Sequence, residues 1–109
     1  MYDDAVQIEP EDLKGLLDRG VAPLILDVRS ALEYRAGHVP GARHVPFWTM
    51  WWKAKALDVR RADPIVVYCG HGPRARIAAS ALRRRGYTNV RLLCGHWARW
   101  QKSGRPVAR

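Results

Sequence analysis

The sequence predicts an α/β fold of three layers, α/β/α, around a central, mainly parallel sheet of five strands. Short apolar or β-branched runs alternate with helical segments along most of the chain, the order typical of parallel strands joined by helices. The run at residues 24–28 is almost continuously apolar, as expected for a strand covered on both faces. Because 109 residues provide for one hydrophobic core, residues 1–109 are predicted to form a single domain.

The first half of the chain begins with a short strand candidate at residues 6–8. Pro10 then opens a helix, because proline suits a first turn and the acidic residues after it lie near the positive helix end. The strand at residues 24–28 follows. Ser30 and Glu33 have the spacing of a capping box, which predicts a short second helix.

The second half repeats this alternation, and its strongest strand signal is the β-branched and aromatic run at residues 65–68. The helix after that strand has apolar residues spaced for one buried face: Ile77, Ala78, Ala81 and Leu82. The other predicted elements are a turn at 37–42, a strand at 43–45, a tryptophan-rich helix at 47–57, a strand at 90–93 and a helix at 97–102.

The net charge of +9 is concentrated in the C-terminal part of the chain. Residues 64–109 contain 10 of the 19 basic residues and none of the 10 acidic ones. This part either attracts an anion, such as a small oxyanion or an acidic partner, or carries its charges on solvated faces. We favour the second interpretation for the excess as a whole. No nucleic-acid motif is present, so nucleic acid is not an expected partner.

Composition and cysteine content indicate a globular protein of the cytoplasm. The sequence has no apolar run long enough for a transmembrane segment, and residues 1–4 lack the basic and apolar regions of a secretory signal. Its 2 cysteines are too few for a disulfide scaffold and fit an intracellular protein with a working thiol.

The loop at residues 69–76 is the best candidate for a chemical site. Cys69 directly follows the strongest strand, at the sheet edge where parallel α/β folds bind ligands. A nucleophilic cysteine must be ionised, and three features favour the thiolate: the N-terminus of the next helix, amides that the glycines allow to turn inward, and nearby positive charge. The charges come from Arg74 and Arg76, with a possible third from His71.

Each of these residues also has a structural interpretation. Cys69 could be a buried core cysteine, His71 an exposed loop residue without a catalytic role, and Arg76 a solvent-facing cation. The catalytic hypothesis therefore requires main-chain amides that face the sulfur and a route from the sulfur to solvent.

Several short motifs lie along almost the whole chain: DVR and EY within residues 27–34, GHVPGA at 37–42, YC-x-x-G-x-R at 68–74, GY-x-NV at 86–90, Trp100, and G-x-PV at 104–107. In order and spacing they resemble the motifs of single-domain rhodaneses, which are sulfurtransferases. Two positions depart from the family pattern. Ala75 stands where family loops often have serine, and Gly95-His96 stands where most members have two glycines.

The resemblance implies a double-displacement reaction. Cys69 attacks the sulfane sulfur of thiosulfate or a similar donor, sulfite leaves, and the resulting persulfide passes its sulfur to cyanide, a cellular thiol or a protein thiol. No cofactor or metal is implied. Arg74 would hold the donor oxyanion, and the substrate-binding loop would comprise Gly70, His71, Gly72, Arg74, Ala75 and Arg76. Structural support would come from Asp27, Arg29, Glu33 and His38.

Two other functions compete with this one. Cysteine phosphatases and arsenate reductases of the same fold place arginine at the sixth position after the cysteine, whereas Arg74 is at the fifth; the smaller ring suits a single sulfur atom better than a phosphate. A non-catalytic or sulfur-relay module would instead dock a partner protein, or contact a membrane surface weakly, through Trp48, Trp51 and Trp52. We expect one or two of these tryptophans to cover the core, since the chain has 1 phenylalanine.

Cys94 and His96 follow the last predicted strand. Cys94 could resolve a Cys69 persulfide as a disulfide, but we expect it to pack at the strand end without that role. A zinc site is not expected, because no Cys-x-x-Cys pair is present and His71 and His96 would join the cysteines only if their two loops converged.

Overall fold

The computed structural model describes residues 7–109; residues 1–6, which include the signal region considered above and Val6 of the first predicted strand, lie outside the described part. In order, its helices and strands are β1 Gln7–Ile8, α1 Pro10–Asp18, β2 Leu24–Asp27, α2 Ala31–Ala36, β3 Arg43–His44, α3 Met50–Lys53, β4 Ile65–Tyr68, α4 Pro73–Arg84, β5 Val90–Leu93 and α5 His96–Lys102. Short 3₁₀ helices at Phe47–Thr49 and Ala54–Ala56 flank α3.

The five strands form one sheet in the order β1-β5-β4-β2-β3, and every neighbouring pair is parallel. This confirms the predicted fold class. The central strand is β4, with β2 and β5 on either side, so the segments that follow these three strands meet at one edge of the sheet.

Alternate residues of β4 face two separate cores, because successive side chains of a strand point to opposite faces. Ile65 and Val67 pack in the cluster that includes α3 and α4, and Val66 and Tyr68 pack in the cluster that includes α1 and α5. Each face of the sheet is thus covered by helices, which accounts for the apolar run of β2 and gives the three layers.

The predicted capping box is present at the start of α2. The Glu33 N–H donates to Ser30 Oγ over 3.2 Å, and the Ser30 N–H donates to Glu33 Oε1 over 2.9 Å. These bonds satisfy amides that a helix N-terminus otherwise leaves unpaired. They also orient the Glu33 carboxylate, which matters at the site below.

Two sequence predictions about residues 47–57 are wrong. Residues 47–57 form α3 and two 3₁₀ helices rather than one helix, and Trp48, Trp51 and Trp52 remain 52%, 43% and 54% exposed. Smaller neighbours in this segment are buried instead: Thr49, Met50 and Ala54.

Ile77 is 45% exposed, contrary to the prediction that it lies on the buried face of α4. The buried stripe begins two residues earlier, at Ala75, and continues through Ala78, Ala79, Ala81 and Leu82. Small alanines let α4 approach the sheet closely, and this stripe leaves Ile77 on the outer side of the helix.

The C-terminal tail is irregular, as predicted, but it is attached to the α1–α5 side. Ala108 pairs with His38 in an antiparallel bridge, and the Trp100 indole N–H donates to the Pro106 carbonyl over 2.8 Å. Within residues 7–109, no helix is long and apolar enough to cross a membrane.

Candidate active site

Cys69 lies immediately after β4, at the carboxyl edge of the sheet, where parallel α/β folds bind their ligands. The loop then turns sharply into α4, which begins at Pro73. Gly72 makes this turn possible because its φ of 135° is one that side-chain-bearing residues rarely adopt. In that conformation the Gly72 N–H donates to Cys69 Sγ over 3.0 Å.

This hydrogen bond and the N-terminus of α4 both favour a negatively charged sulfur. The sequence predicts donors from Gly70 through Ala75, apart from Pro73. Among the described residues, the Gly72 amide is the one main-chain donor that reaches Sγ. The sequence predicts several amides around the sulfur, whereas in this conformation one amide, that of Gly72, donates to it.

The Cys69 side chain is fully buried in this conformation. Gly72 lies against Sγ, and the core cluster around α4 packs against the residue. The route to solvent that the catalytic hypothesis requires is therefore closed in this conformation.

Arg74 is bound to α2 rather than directed only at the loop. Its Nη1 donates to Glu33 Oε1 over 2.7 Å and its Nη2 to Oε2 over 3.2 Å. Arg74, and to a smaller extent Ser30, lowers the pKa of Glu33 to about 2 by donating to its carboxylate, against the opposing effect of burial. The sequence prediction assigned Arg74 to the donor oxyanion, whereas the structure places its guanidinium on Glu33.

The Arg74 guanidinium nevertheless stays close to the loop. A Cβ built on Gly70 would lie 3.2 Å from Arg74 Nη2. The positive charge of Arg74 also interacts with Cys69. The Glu33–Arg74 pair therefore fixes a cation beside the cysteine loop, and the capping box of α2 holds the carboxylate that anchors it.

Asp27 and Arg29 form a buried ion pair under the site, with 2.7 Å between Arg29 Nη2 and Asp27 Oδ2. Tyr68 donates its hydroxyl to the same carboxylate over 2.7 Å and accepts from the Val39 N–H. Arg29 also donates to the Gly37 carbonyl over 2.6 Å. This network ties the end of β2 to β4 and to the turn at residues 37–42.

His38 stabilises the same turn by stacking on Tyr34, with 3.7 Å between ring centroids. Its Nδ1 is 2.7 Å from the Tyr34 carbonyl oxygen. Burial, followed by the charge of Asp27 and its hydrogen bond, raises the pKa of Tyr68, so the hydroxyl remains protonated as a donor to Asp27. Of the residues predicted as structural support, Asp27 and Arg29 contact Tyr68 at the end of β4, Glu33 holds Arg74, and His38 stacks on Tyr34.

His71 is exposed, and Arg76 is exposed on the first turn of α4. The Arg76 guanidinium carbon would lie 3.9 Å from a Cβ built on Gly72. Arg76 thus places a positive charge near the loop. Ala75 is buried against the sheet, in line with the stripe of α4 described above.

His96, for which the sequence motifs predict no role, contacts the cysteine loop in the structure. The Cys69 N–H donates to His96 Nδ1 over 3.3 Å, and a Cβ on Gly72 would lie 3.5 Å from His96 Nε2. The available signal in the sequence was the histidine that replaces the second glycine of the family pattern.

Cys94 is partly buried at the end of β5, where Arg99 Nη1 donates to its Sγ over 3.2 Å. Burial, followed by the hydrogen bond and charge of Glu9, raises the pKa of the Cys94 thiol. Both cysteines are free thiols. Among residues 7–109, no three His, Cys, Asp or Glu side chains are grouped as a metal site requires.

Replacing Gly72 with alanine is expected to reduce the free energy of unfolding by about 1–3 kcal/mol, because alanine rarely adopts a φ of 135°. The nearest side-chain atoms around the new Cβ would lie at 3.5 Å or more, so the strain arises from the backbone. Urea denaturation measures the loss. The matched control is Gly15→Ala in α1, which we expect to be neutral or stabilising. Equal stabilities for the two variants would contradict the prediction.

Comparison with known proteins identifies the same fold. The family model for the rhodanese-like domain matches residues 9–103. Thiosulfate sulfurtransferase GlpE of Pseudomonas fluorescens (strain SBW25) is 32% identical over 95 residues, which are 87% of this chain and 84% of that protein. The protein YqhL of Bacillus subtilis (strain 168) is 33% identical over 76 residues, 70% of this chain and 59% of its own length.

A solved structure agrees with these relatives. The solution structure of the rhodanese-like domain of the Anabaena protein Alr3790 superposes with a TM-score of 0.83 at 30% identity, and the match covers 94% of this chain and 78% of that one.

Proposed function

Because the chain belongs to the rhodanese-like family, we propose that it is a sulfurtransferase that carries sulfane sulfur as a persulfide on Cys69. The donor is thiosulfate or a similar small sulfur oxyanion, and the acceptor is a thiol, a protein thiol or cyanide. The observation that carries the proposal is the 3.0 Å hydrogen bond from the Gly72 N–H to Cys69 Sγ at the start of α4. It supports an ionised sulfur at the position where a nucleophile is needed.

In the first step the Cys69 thiolate attacks the outer, sulfane sulfur of thiosulfate. A new sulfur–sulfur bond forms on Cys69, the sulfur–sulfur bond of the donor breaks, and its electron pair leaves with sulfite. In the second step the acceptor attacks the outer sulfur of the persulfide, and Cys69 leaves as the thiolate. No oxidant or reductant is consumed, since each step breaks one sulfur–sulfur bond and forms one new bond to the transferred sulfur, which is a sulfur–sulfur bond with a thiol acceptor and a carbon–sulfur bond with cyanide.

The residues around Cys69 have distinct roles in this reaction. The Gly72 amide and the N-terminus of α4 stabilise the negative sulfur before and after transfer. Arg74, held by Glu33, adds a fixed positive charge that favours an anionic donor. Because Cys69 is buried, donor and acceptor each react when the loop has moved away from the sulfur.

Phosphate-ester chemistry is less compatible with these contacts. A cysteine phosphatase uses its arginine to bind the phosphate oxygens, whereas both terminal nitrogens of Arg74 donate to Glu33.

The proposal also includes the cytoplasm as the location, because two free thiols fit a reducing compartment.

Treatment with thiosulfate is expected to increase the mass of the protein by one sulfur atom, about 32 Da, and cyanide is expected to remove it. Intact-protein mass spectrometry measures both changes. Peptide mapping should place the added sulfur on Cys69. The proposal fails if the protein gains no sulfur, or if the sulfur is found on Cys94.

A second candidate function is the docking of a protein that delivers or receives sulfur. It is favoured by the three exposed tryptophans of residues 48–52 and by Arg84, whose guanidinium lies 5.9 Å from the Trp51 ring centroid. Such an aromatic and basic surface suits an acidic protein face. A module that serves docking alone would take up no sulfur in the mass measurement.

A further inference from the structure

His96 is held in an unusual backbone conformation at the start of α5. Its φ is 54°, and among the described residues it is the one non-glycine residue with a positive φ. A positive φ is less favourable for histidine than for glycine, because histidine has a Cβ. Backbone strain of this kind is found most often at functional positions. The side chain is also 7% exposed, so it is packed inside the molecule rather than placed at the surface.

The first turn of α5 makes three hydrogen bonds to the main chain of Cys69 and Gly70. The Cys69 N–H donates to His96 Nδ1 over 3.3 Å. The Cys69 carbonyl accepts from the Trp97 N–H over 3.0 Å, and the Gly70 carbonyl accepts from the Ala98 N–H over 3.2 Å. Two of these contacts are made by the main chain and would survive substitution, whereas the contact to the Cys69 N–H depends on the His96 side chain.

The bond to Cys69 also determines the state of the imidazole. Because Nδ1 accepts, the proton of the neutral ring is on Nε2, which faces Gly72. Burial, then the charges of Arg76 and His71, lowers the pKa of His96 to about 4, so the ring is neutral near pH 7. A protonated ring could not accept from the Cys69 N–H.

We propose that His96 is a positioning residue of the cysteine loop: it holds the Cys69 main chain through Nδ1 and, with Nε2 in the space beside Gly72 that a Cβ would face, keeps the Gly72 amide directed at the sulfur. It acts through these two residues and does not itself react. Without it the Cys69 N–H loses its acceptor in a buried environment, and the loop relaxes to find another. The Gly72 N–H then no longer reaches Sγ, and the thiolate becomes less favoured.

The inference rests on the proposed role of Cys69 as the nucleophile, but its test requires no sulfur donor. Alkylation by iodoacetamide is followed across pH and quantified on the Cys69 peptide, so that Cys94 does not contribute. The titratable and charged groups around the loop remain in all variants: Arg74, Arg76, His71, Glu33, Asp27 and Arg29.

His96→Gly removes the imidazole while it relieves the backbone strain. Each variant's alkylation rates are normalised to its own rate at high pH, so that a change in how often the loop opens cancels. We expect the midpoint of this normalised profile to rise by about one pH unit. His96→Asn retains an acceptor oxygen near the position of Nδ1 and tolerates a positive φ, so it should restore most of the wild-type midpoint.

The matched control is Gln101→Gly, an exposed position in α5. It should lower Tm, because glycine disfavours a helix, and leave the alkylation midpoint unchanged. A wild-type midpoint in folded His96→Gly would overturn the proposal, as would equal shifts in the glycine and asparagine variants. If the wild type showed no thiosulfate turnover, the proposed function would be overturned, whereas the conclusion about His96 from the alkylation midpoints would stand.

A second measurement needs no variant. Nitrogen NMR of the wild-type histidines should show His96 protonated at Nε2 and unprotonated at Nδ1 at neutral pH. A ring protonated at Nδ1 would exclude the bond from the Cys69 N–H and would overturn the proposal even if His96→Gly does not fold.

Discussion

Cys69→Ser is expected to abolish the mass increase that thiosulfate produces. The serine hydroxyl is close in shape to the thiol and still accepts from the Gly72 N–H, so the loop and α4 should keep their geometry. A hydroxyl is not ionised at neutral pH and does not form a persulfide. The loss is therefore expected to be complete, while unfolding by urea should show a stability close to that of the wild type.

Cys94→Ser is the matched control for this substitution. Its thiol is hydrogen-bonded to Arg99 at the end of β5, and its pKa is raised, so it is mostly protonated at neutral pH. We expect this variant to take up sulfur from thiosulfate at nearly the wild-type rate. A large loss in Cys94→Ser would restore the idea that the two cysteines form a relay, and uptake by Cys69→Ser would refute the assignment of the nucleophile.

Asp27→Ala is expected to lower the free energy of unfolding by about 3–5 kcal/mol, because it leaves the Arg29 charge buried without its partner. The carboxylate also accepts from the Tyr68 hydroxyl and the Arg29 main-chain N–H, and both lose their acceptor. Denaturation in urea, followed by circular dichroism, measures the loss.

Asp18→Ala provides the control for the loss of a carboxylate. Asp18 pairs with Lys14 across 2.7 Å at the surface, and its side chain is 60% exposed. Removal of such a pair typically changes stability by less than about 1 kcal/mol. If Asp27→Ala destabilised the protein no more than Asp18→Ala, the buried network would not have the stabilising role inferred from its contacts.

The local sequence was sufficient to predict the elements that hold the site. The capping box of Ser30 and Glu33, the strand at residues 65–68 and the fold class are all present as predicted. These features depend on contacts within a few residues or on the periodicity of apolar side chains, and both can be read along the chain. The candidate nucleophile, Cys69, was likewise indicated by neighbouring residues, because the glycines and arginines that follow it in the loop are typical of an anion-binding turn.

Tertiary structure alone decided which side chains meet at Cys69. The pairing of Arg74 with Glu33 spans 41 residues, and the bond from the Cys69 N–H to His96 spans 27. Such contacts depend on how β2, β4 and β5 lie side by side, which no local pattern specifies. Exposure of the three tryptophans and burial of the Cys69 sulfur were likewise decided by the packing of whole elements, because an apolar side chain is buried only where another surface is available to cover it.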